Sequence, residues 1–185
     1  TLDSSFATNG IAAFNIFTNG SLPYSIIQDA LGRTLVTGVA YPGTFVIRLL
    51  ETGVADSTFG GDGIVNLLSV SGIYPSGHEI ILDSFSRIII AGNNPLGPGY
   101  LFACMDSTGV IDSTFGLNGY SIFPITGYGM LISCALQDDG KIVACGYYDT
   151  TGTSTDYNFV IMRINPDGTA DSSFASNGIF EYSHT

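Results

Sequence analysis

The sequence contains no tryptophan, and only five of its 185 residues are lysine or arginine. Against sixteen aspartates and glutamates these leave a formal charge of −11 and a pI near 4.1. So few cations argue against nucleic acid as a partner, because phosphate recognition needs a basic footprint. They argue equally against electrostatic docking on an anionic membrane. No apolar run approaches the roughly 18 residues of a membrane-spanning helix. Charged residues make up only 11% of the chain while apolar residues reach 45%, a balance that excludes intrinsic disorder. Helical 3.6-residue periodicity is absent, and 24 glycines argue against long helices. The three cysteines form no C-x-x-C pair, and His78 and His184 are the only histidines, so no zinc site is expected. No G-x-S-x-G elbow, H-E-x-x-H helix or phosphate-loop glycine pattern occurs, so no catalytic residue and no cofactor is assigned. The chain opens at Thr1 with neither an initiator methionine nor a signal peptide, and reads as a processed form or an excerpt of something longer.

What the sequence does contain is a repeat. The pattern D-S-[ST]-F-[AG]-x-[ND]-G occurs four times. Its Asp, Phe and final Gly fall at Asp3, Phe6 and Gly10, at Asp56, Phe59 and Gly63, at Asp112, Phe115 and Gly119, and at Asp171, Phe174 and Gly178. Successive copies start 53, 56 and 59 residues apart. That period is too long for ankyrin, tetratricopeptide or leucine-rich units and fits one four-stranded propeller blade. Each terminal Gly precedes an apolar-rich run of strand length: Ile11–Phe17, Ile64–Val70, Tyr120–Ile125 and Ile179–Tyr182. A hairpin follows in the three complete repeats. Its arms are Ser25–Gln28 and Arg33–Gly38, Glu79–Leu82 and Arg87–Gly92, and Ser133–Leu136 and Lys141–Gly146. The turn through Asp138-Asp139-Gly140 is the strongest signal, since Gly accepts positive φ without steric cost. A fourth strand is predicted at Phe45–Leu50, Leu101–Asp106 and Phe159–Asn165, closed by turns at Thr52-Gly53, Thr108-Gly109 and Pro166-Asp167-Gly168. The predicted class is therefore all-β: a partial or open β-propeller of about three four-stranded antiparallel blades. The repeats run from about 3 to 55, 56 to 111 and 112 to 170, with a partial fourth at 171–185, all in one region spanning 1–185.

This strand order is that of WD-repeat blades, and Leu50-Glu51-Thr52-Gly53 sits where those repeats carry a similar turn, although the Trp-Asp signature is missing. Gln137-Asp138-Asp139-Gly140-Lys141-Ile142-Val143-Ala144-Cys145-Gly146 and Arg163-Ile164-Asn165-Pro166-Asp167-Gly168 more closely resemble the delta-60 repeat family of bacterial β-propeller-like proteins. The Pro usual after the motif's Asp is Ser at all four sites, and the first two hairpins depart from Asp-Gly-Lys. The resemblance spans essentially the whole chain. It implies a bacterial, exported, multirepeat protein, of the kind that includes type IX secretion cargo. Asp56-Ser57-Thr58, Asp106-Ser107-Thr108, Asp112-Ser113-Thr114 and Asp149-Thr150-Thr151 also resemble the short O-glycosylation acceptors of such bacteria.

The motif has a structural reading. Its Asp accepts nearby backbone N–H groups in an Asx-turn, its Phe anchors the loop between adjacent blades, and its final pair supplies positive φ before the next strand. The functional alternative is that Asp56 and Asp62, or their equivalents, bind Ca²⁺, although their spacing matches no EF-hand loop. Arg33, Arg87 and Lys141 share one repeat position; Arg48 and Arg163 share another, where the middle repeat has Cys104. No basic residue lies elsewhere, so these side chains read as fixtures pairing with carboxylates rather than as a binding patch, an Arg ring around an anion being the alternative. Cys134 and Cys145 lie on the two arms of one hairpin and face each other only if the turn has two residues. Otherwise all three cysteines are small hydrophobes. His78 is expected as a polar residue at a strand edge. Tyr24, Tyr41, Tyr74, Tyr100, Tyr128, Tyr147, Tyr148 and Tyr157 fall near strand ends, where they suit a packed rim or a ligand surface.

Four outer strands against three sets of the others leave one strand over, and three blades are fewer than the roughly 4–8 of closed propellers. The chain is thus expected to continue into further blades or to self-associate. The functional expectation is a non-enzymatic interaction or adhesion scaffold, extracellular or on a cell surface, with a protein or glycan partner. A glycan-binding propeller through loop Tyr and Asp is the alternative. A propeller enzyme completed by other blades is the third, set back by inner strands built of Ile26-Ile27, Ile80-Ile81 and Cys134-Ala135.

Overall fold

The computed structural model describes residues 1–16, 20–40, 43–67, 73, 75–95, 97, 99–149 and 157–182. Tyr41, Tyr74, Thr150, Thr151, His184, the end of each of the first two outer runs and the last three residues of the partial repeat lie outside them. Twelve strands form three separate four-stranded antiparallel sheets, each ordered as in the chain. The first sheet holds β1 (Leu22–Gln28), β2 (Thr34–Ala40), β3 (Gly43–Leu49) and β4 (Ile64–Leu67). The second holds β5 (Ser76–Leu82), β6 (Ile88–Asn93), β7 (Gly99–Met105) and β8 (Tyr120–Pro124). The third holds β9 (Tyr128–Leu136), β10 (Ile142–Asp149), β11 (Asn158–Ile164) and β12 (Ile179–Tyr182). The protein is a partial, open β-propeller of three blades, and the described residues contain no helix.

The two middle strands of the second sheet are apolar and buried on both faces because a neighbouring sheet covers each. Between the first and second sheets lie Leu35, Val46, Ile80, Ile90, Leu101 and Met105. Between the second and third lie Ile89, Phe102, Leu131, Ile142, Val160 and Met162. Each sheet therefore has a rear face toward the preceding blade and a forward face toward the next. No core cluster of the described residues joins the first sheet to the third.

Hairpin turns follow local chemistry. Asp29 accepts the N–H groups of Leu31 and Arg33, and Asp83 those of Phe85 and Arg87. Where the first and third hairpins place Gly32 and Gly140 at φ 76° and 80°, the second holds Ser86 at φ 61°.

Two sequence expectations need amending. The described part of the run at Ile11–Phe17, residues 11–16, is not a strand. Ile11 makes one isolated bridge back to Thr8, and residues 12–16 join no ladder. The reason is topological: β4, β8 and β12 each pair with the third strand of the preceding sheet, and no described strand precedes Ile11. Instead, Ala12 and Ile16 lie loosely over the rear of the first sheet, against Phe45 and Ile47. The second concerns the open question of Cys134 and Cys145. Leu136 pairs with Ile142, so five residues intervene, and Cys134 sits opposite Ala144 while Cys145 sits opposite Ser133. The two thiols project from opposite faces, and all three cysteines are free.

One regular feature went unpredicted. Each inner strand carries a bulge at an equivalent place: Tyr24, His78 and Ile132 are the residues skipped in the pairing with the second strand. Beside each bulge the second strand has a glycine. A Cβ on Gly38, Gly92 or Gly146 would lie 2.1, 1.9 or 1.9 Å from a carbonyl oxygen of the inner strand. A strand-internal Gly commonly marks such a close approach.

Candidate functional site

The four motif copies fold alike. In each, the carboxylate Oδ1 of the Asp accepts both the backbone N–H and the hydroxyl of the residue two further on: Ser5, Thr58, Thr114 or Ser173. The Phe N–H returns to the Asp carbonyl, and the N–H of the final Gly returns to the Phe carbonyl. These bonds close a compact corner, and at Phe6, Phe59 and Phe115 the ring points toward the blade that follows.

What the ring meets is the same at each successive junction. The turn after the third strand of the next blade presents a Gly to it, and a Cβ on Gly53, Gly109 or Gly168 would come within 3.0 Å of the ring of Phe6, Phe59 or Phe115. The residue after the Phe donates its N–H to the carbonyl just before that Gly. Ala7 donates to Thr52 at 2.8 Å, Gly60 to Thr108 at 3.1 Å and Gly116 to Asp167 at 2.7 Å. Phe59 and Phe115, each between two blades, are fully buried, whereas Phe6 and Phe174 are half-buried at the ends.

All five basic residues pair with a motif Asp, Arg33 reaching Asp56 at 3.5 Å besides Asp29 at 2.7 Å. Arg48 bonds Asp56 at 2.8 Å, reaches Thr58 at 3.0 Å, donates to the Ser107 carbonyl of the next blade and lies 4.7 Å over the Phe59 ring. Its side chain and that of Asp56 are nearly inaccessible, at 3% and 5%. Cys104 takes the equivalent place in the second blade and makes no such bond, and Arg87 compensates. It pairs with Asp83 at 2.7 Å and Asp112 at 3.0 Å, and donates to the Pro166 carbonyl of the third blade at 2.9 Å. In the third blade Lys141 and Arg163 both pair with Asp171, at 3.0 and 2.6 Å, and Arg163 lies 4.8 Å over Phe174. Hydrogen bonds from Thr58, Thr114 and Ser173 lead the causes that hold Asp56, Asp112 and Asp171 below the ordinary carboxylate value of 3.8, with the basic partners adding to them.

The Ca²⁺ candidates are placed as follows. Asp56 has both carboxylate oxygens engaged, one by Thr58 and one by Arg48. Asp62 is exposed and accepts the Ile64 N–H at 3.0 Å. No group of three or more His, Cys, Asp or Glu is placed to hold a metal among the described residues. Burial pushes the Cys104 and Cys134 thiols up to about 12, so neither is a thiolate at neutral pH.

The remaining residues singled out in the sequence divide between core and surface. Tyr100 and Tyr148 are buried between the second and third sheets. The ring of Tyr24 lies tilted against His78 with centroids 4.6 Å apart, and the His78 Nε2 lies 3.2 Å from the Ser76 hydroxyl. Burial lowers the His78 pKa below 6.5. Tyr128, Tyr147 and Tyr157 form a chain of ring contacts on the third sheet, at 6.2 and 4.8 Å.

The forward face of the third sheet sets it apart. In the first sheet the forward positions Leu35, Thr37, Thr44, Val46 and Arg48 are all buried, and in the second so are Ile89, Ala91, Tyr100, Phe102 and Cys104. The same positions in the third sheet are Val143, Cys145, Phe159, Ile161 and Arg163, and none is buried. Phe159 is 46% exposed, stacks on the similarly open Tyr182 at 5.2 Å and lies tilted to Phe180 at 6.0 Å. The open positions follow no local pattern; only alignment of the repeats, position by position, reveals them.

The blade geometry agrees with comparison to known families. Residues 137–174, from the third hairpin through the Phe of the fourth motif, match the family described as "Domain of unknown function (DUF5122) beta-propeller". No curated protein matches the sequence.

Proposed function

We propose that this chain is a non-enzymatic interaction scaffold working outside a bacterial cell, part of an exported repeat protein of the delta-60 kind and of the type IX cargo class. One observation carries the reading: an aromatic and aliphatic face of the third sheet, in which Phe159, Phe180 and Tyr182 are exposed and Val143 and Ile161 half-buried. Exposed apolar surface of this extent marks a place where another macromolecule sits. The sparse lysines and the acidic, Ser/Thr/Gly-rich shell suit a surface protein that resists indiscriminate association through charge. A direct test is binding of fluorescently labelled chain to intact cells of the source organism, alongside protease shaving of those cells. Saturable binding, weakened at least tenfold by Phe159→Ser with Tyr182→Ser, supports the reading. A native protein that resists shaving and fractionates with cytosol, with no binding by the labelled chain, rejects it.

A second reading rests on the contiguous rings of Tyr128, Tyr147 and Tyr157, two of them substantially exposed. Such platforms suit the apolar face of a sugar ring. A glycan array favours this reading if hits are lost on Tyr157→Ala, and an array without hits removes it.

A further inference from the structure

We propose that the cleft between the hairpin tips of the first two blades takes one aliphatic side chain, with its peptide carbonyl, from a basic segment of a partner protein. All the walls of the cleft come from those two blades. The site therefore stands apart from the open face of the third sheet. It goes beyond the scaffold reading by naming a second contact and the chemistry of what fills it.

The cleft measures about 190 Å³. Pockets for whole small molecules run to roughly 300–1,000 Å³, so a space of this size fits a single side chain and its peptide group. Leu35 and Ile88, each 1% exposed, form the floor, and Leu31 and Leu82 flank it. Arg33 and Arg48 supply the polar side.

Arg33 holds the same repeat position as Arg87, but one of its donors is left over. Arg87 fills three: Nε on Asp83, Nη1 on Asp112 and Nη2 on the Pro166 carbonyl of the next blade. Arg33 has Nε on Asp29 at 2.7 Å and Nη1 3.5 Å from Asp56, and its Nη2 bonds nothing among the described residues. The matching carbonyl, that of Ser107, is taken by Arg48. Asp29 and Asp56 already balance the two guanidinium charges, so the spare donor calls for a neutral acceptor. Arg87 shows which kind the same position accepts: a peptide carbonyl.

The rim supplies the apolar match. Leu31, Phe85 and Asp139 occupy one repeat position, at the tips of the three hairpins. Turn tips favour residues such as Asn, Asp and Gly, yet Leu31 is 72% and Phe85 80% exposed. Leu31 lines the cleft on one side, and Ser86, next to Phe85, lines it on the other. Two apolar tips thus stand in solvent on the two blades that share the cleft, while the third hairpin carries an aspartate. The surrounding charge is acidic. The carboxyl carbon of exposed Glu51 lies 4.0 Å from where a Cβ on Gly32 would stand. Asp106, exposed and next to cleft-lining Ser107, bonds only groups of its own turn. Neither has a basic partner among the described residues, so lysines or arginines on either side of the inserted side chain complete the match.

The test is an NMR titration of the whole 185-residue chain, methyl-labelled at Leu, Ile and Val, with the capped pentapeptide Lys-Ser-Leu-Ser-Lys as probe. Saturable shifts of the Leu31, Leu35, Leu82 and Ile88 methyls are expected, with a Kd at or below about 1 mM. The Val143 and Ile161 methyls of the third sheet stay still. The probes Glu-Ser-Leu-Ser-Glu and Lys-Ser-Ser-Ser-Lys should each bind at least fivefold more weakly. Leu31→Ser, at a side chain mostly in solvent, keeps the fold and weakens binding at least fivefold. Arg33→Lys keeps a cation beside Asp29 and Asp56, loses the spare donor and weakens binding as much; should it not fold, Leu31→Ser and the probes decide. Shifts that do not saturate, that fall on Val143 and Ile161 instead, or that are as large with Lys-Ser-Ser-Ser-Lys overturn the proposal. So does unchanged affinity in folded Leu31→Ser or Arg33→Lys. Cell binding through the third sheet is read independently, so the scaffold reading and this site fail separately.

Discussion

Arg87 donates a 2.9 Å hydrogen bond to the carbonyl of Pro166, a residue 79 positions further along the chain. In the first blade the comparable bond, to Ser107, comes instead from Arg48. The second blade has Cys104 at that position, and a different basic residue makes the same link between blades.

The two arginines are predicted to differ in weight. Arg48→Ala leaves buried Asp56 with only Arg33, 3.5 Å away, as a cation, so the cost falls toward the low end of the about 3–5 kcal/mol for breaking a buried pair. Arg87 and Asp112 retain about a fifth of their side-chain exposure, at 20% and 19%, and solvent screens them. Arg87→Ala is therefore predicted to cost about 1–2 kcal/mol, after allowance for partial exposure. Urea unfolding of the two variants measures both, and equal losses contradict the assignment.

Phenylalanine truncation should separate internal junctions from terminal ones. Phe59→Ala and Phe115→Ala empty fully enclosed sites and are expected to cost about 3–5 kcal/mol each. Phe6→Ala and Phe174→Ala act at half-open sites and are expected to cost about half as much or less. Thermal denaturation of the four variants gives the ranking.

The bulge glycine makes a steric prediction. Gly92→Ala places a methyl group 1.9 Å from the Ser76 carbonyl oxygen, both partners being backbone. The strand pair has to separate, at about 3 kcal/mol or more. Gly61→Ala, at a glycine with nothing within 4 Å but φ 97°, should be felt only through backbone strain and cost less. Comparable unfolding midpoints for the two variants contradict the close approach.

Acid should act in two stages. His78, packed against Tyr24 and beside Ser76, has its pKa lowered by burial, so below its ordinary 6.5 the unfolded chain takes up a proton that the folded chain resists. Its contribution is intact above that value and declines as pH falls through the lowered one. Asp56, Asp112 and Asp171 are likewise depressed, so their contribution holds above the ordinary 3.8 and is lost as pH falls further. In His78→Asn the decline that begins below about pH 6.5 should flatten while the drop below about pH 4 persists. Unfolding free energies across this range, in both proteins, check it.

The blade count, hairpin positions and motif corners were legible in the sequence because each repeat must solve the same local problem. An Asp must cap, a Phe must bury and a Gly must turn. Residues 11–16 match β4, β8 and β12 in composition but form no strand, because no described strand offers them a ladder. Strand formation depends on the neighbour as much as on the residues. The facing of Cys134 and Cys145 depended on turn length alone, which composition does not set. The bulges at Tyr24, His78 and Ile132 had a visible trace in Gly38, Gly92 and Gly146, which ended each second strand without an explanation. The receiving turn at Gly53, Gly109 and Gly168 was seen only as a turn, because its docking partner lies in the preceding blade. The open face of the third sheet was out of reach, since the residue types at its positions do not reveal what lies opposite.

The central claim is that one corner geometry joins successive blades and stands unfilled after the third. Residue-resolved hydrogen exchange on the dilute chain reads it directly. The amides of Gly60 and Gly116, bonded across the two complete junctions, should exchange near the global unfolding limit, and the amide of Ala175 at least a hundredfold faster. Fast exchange at Gly60 and Gly116, or equal protection at all three, contradicts the account.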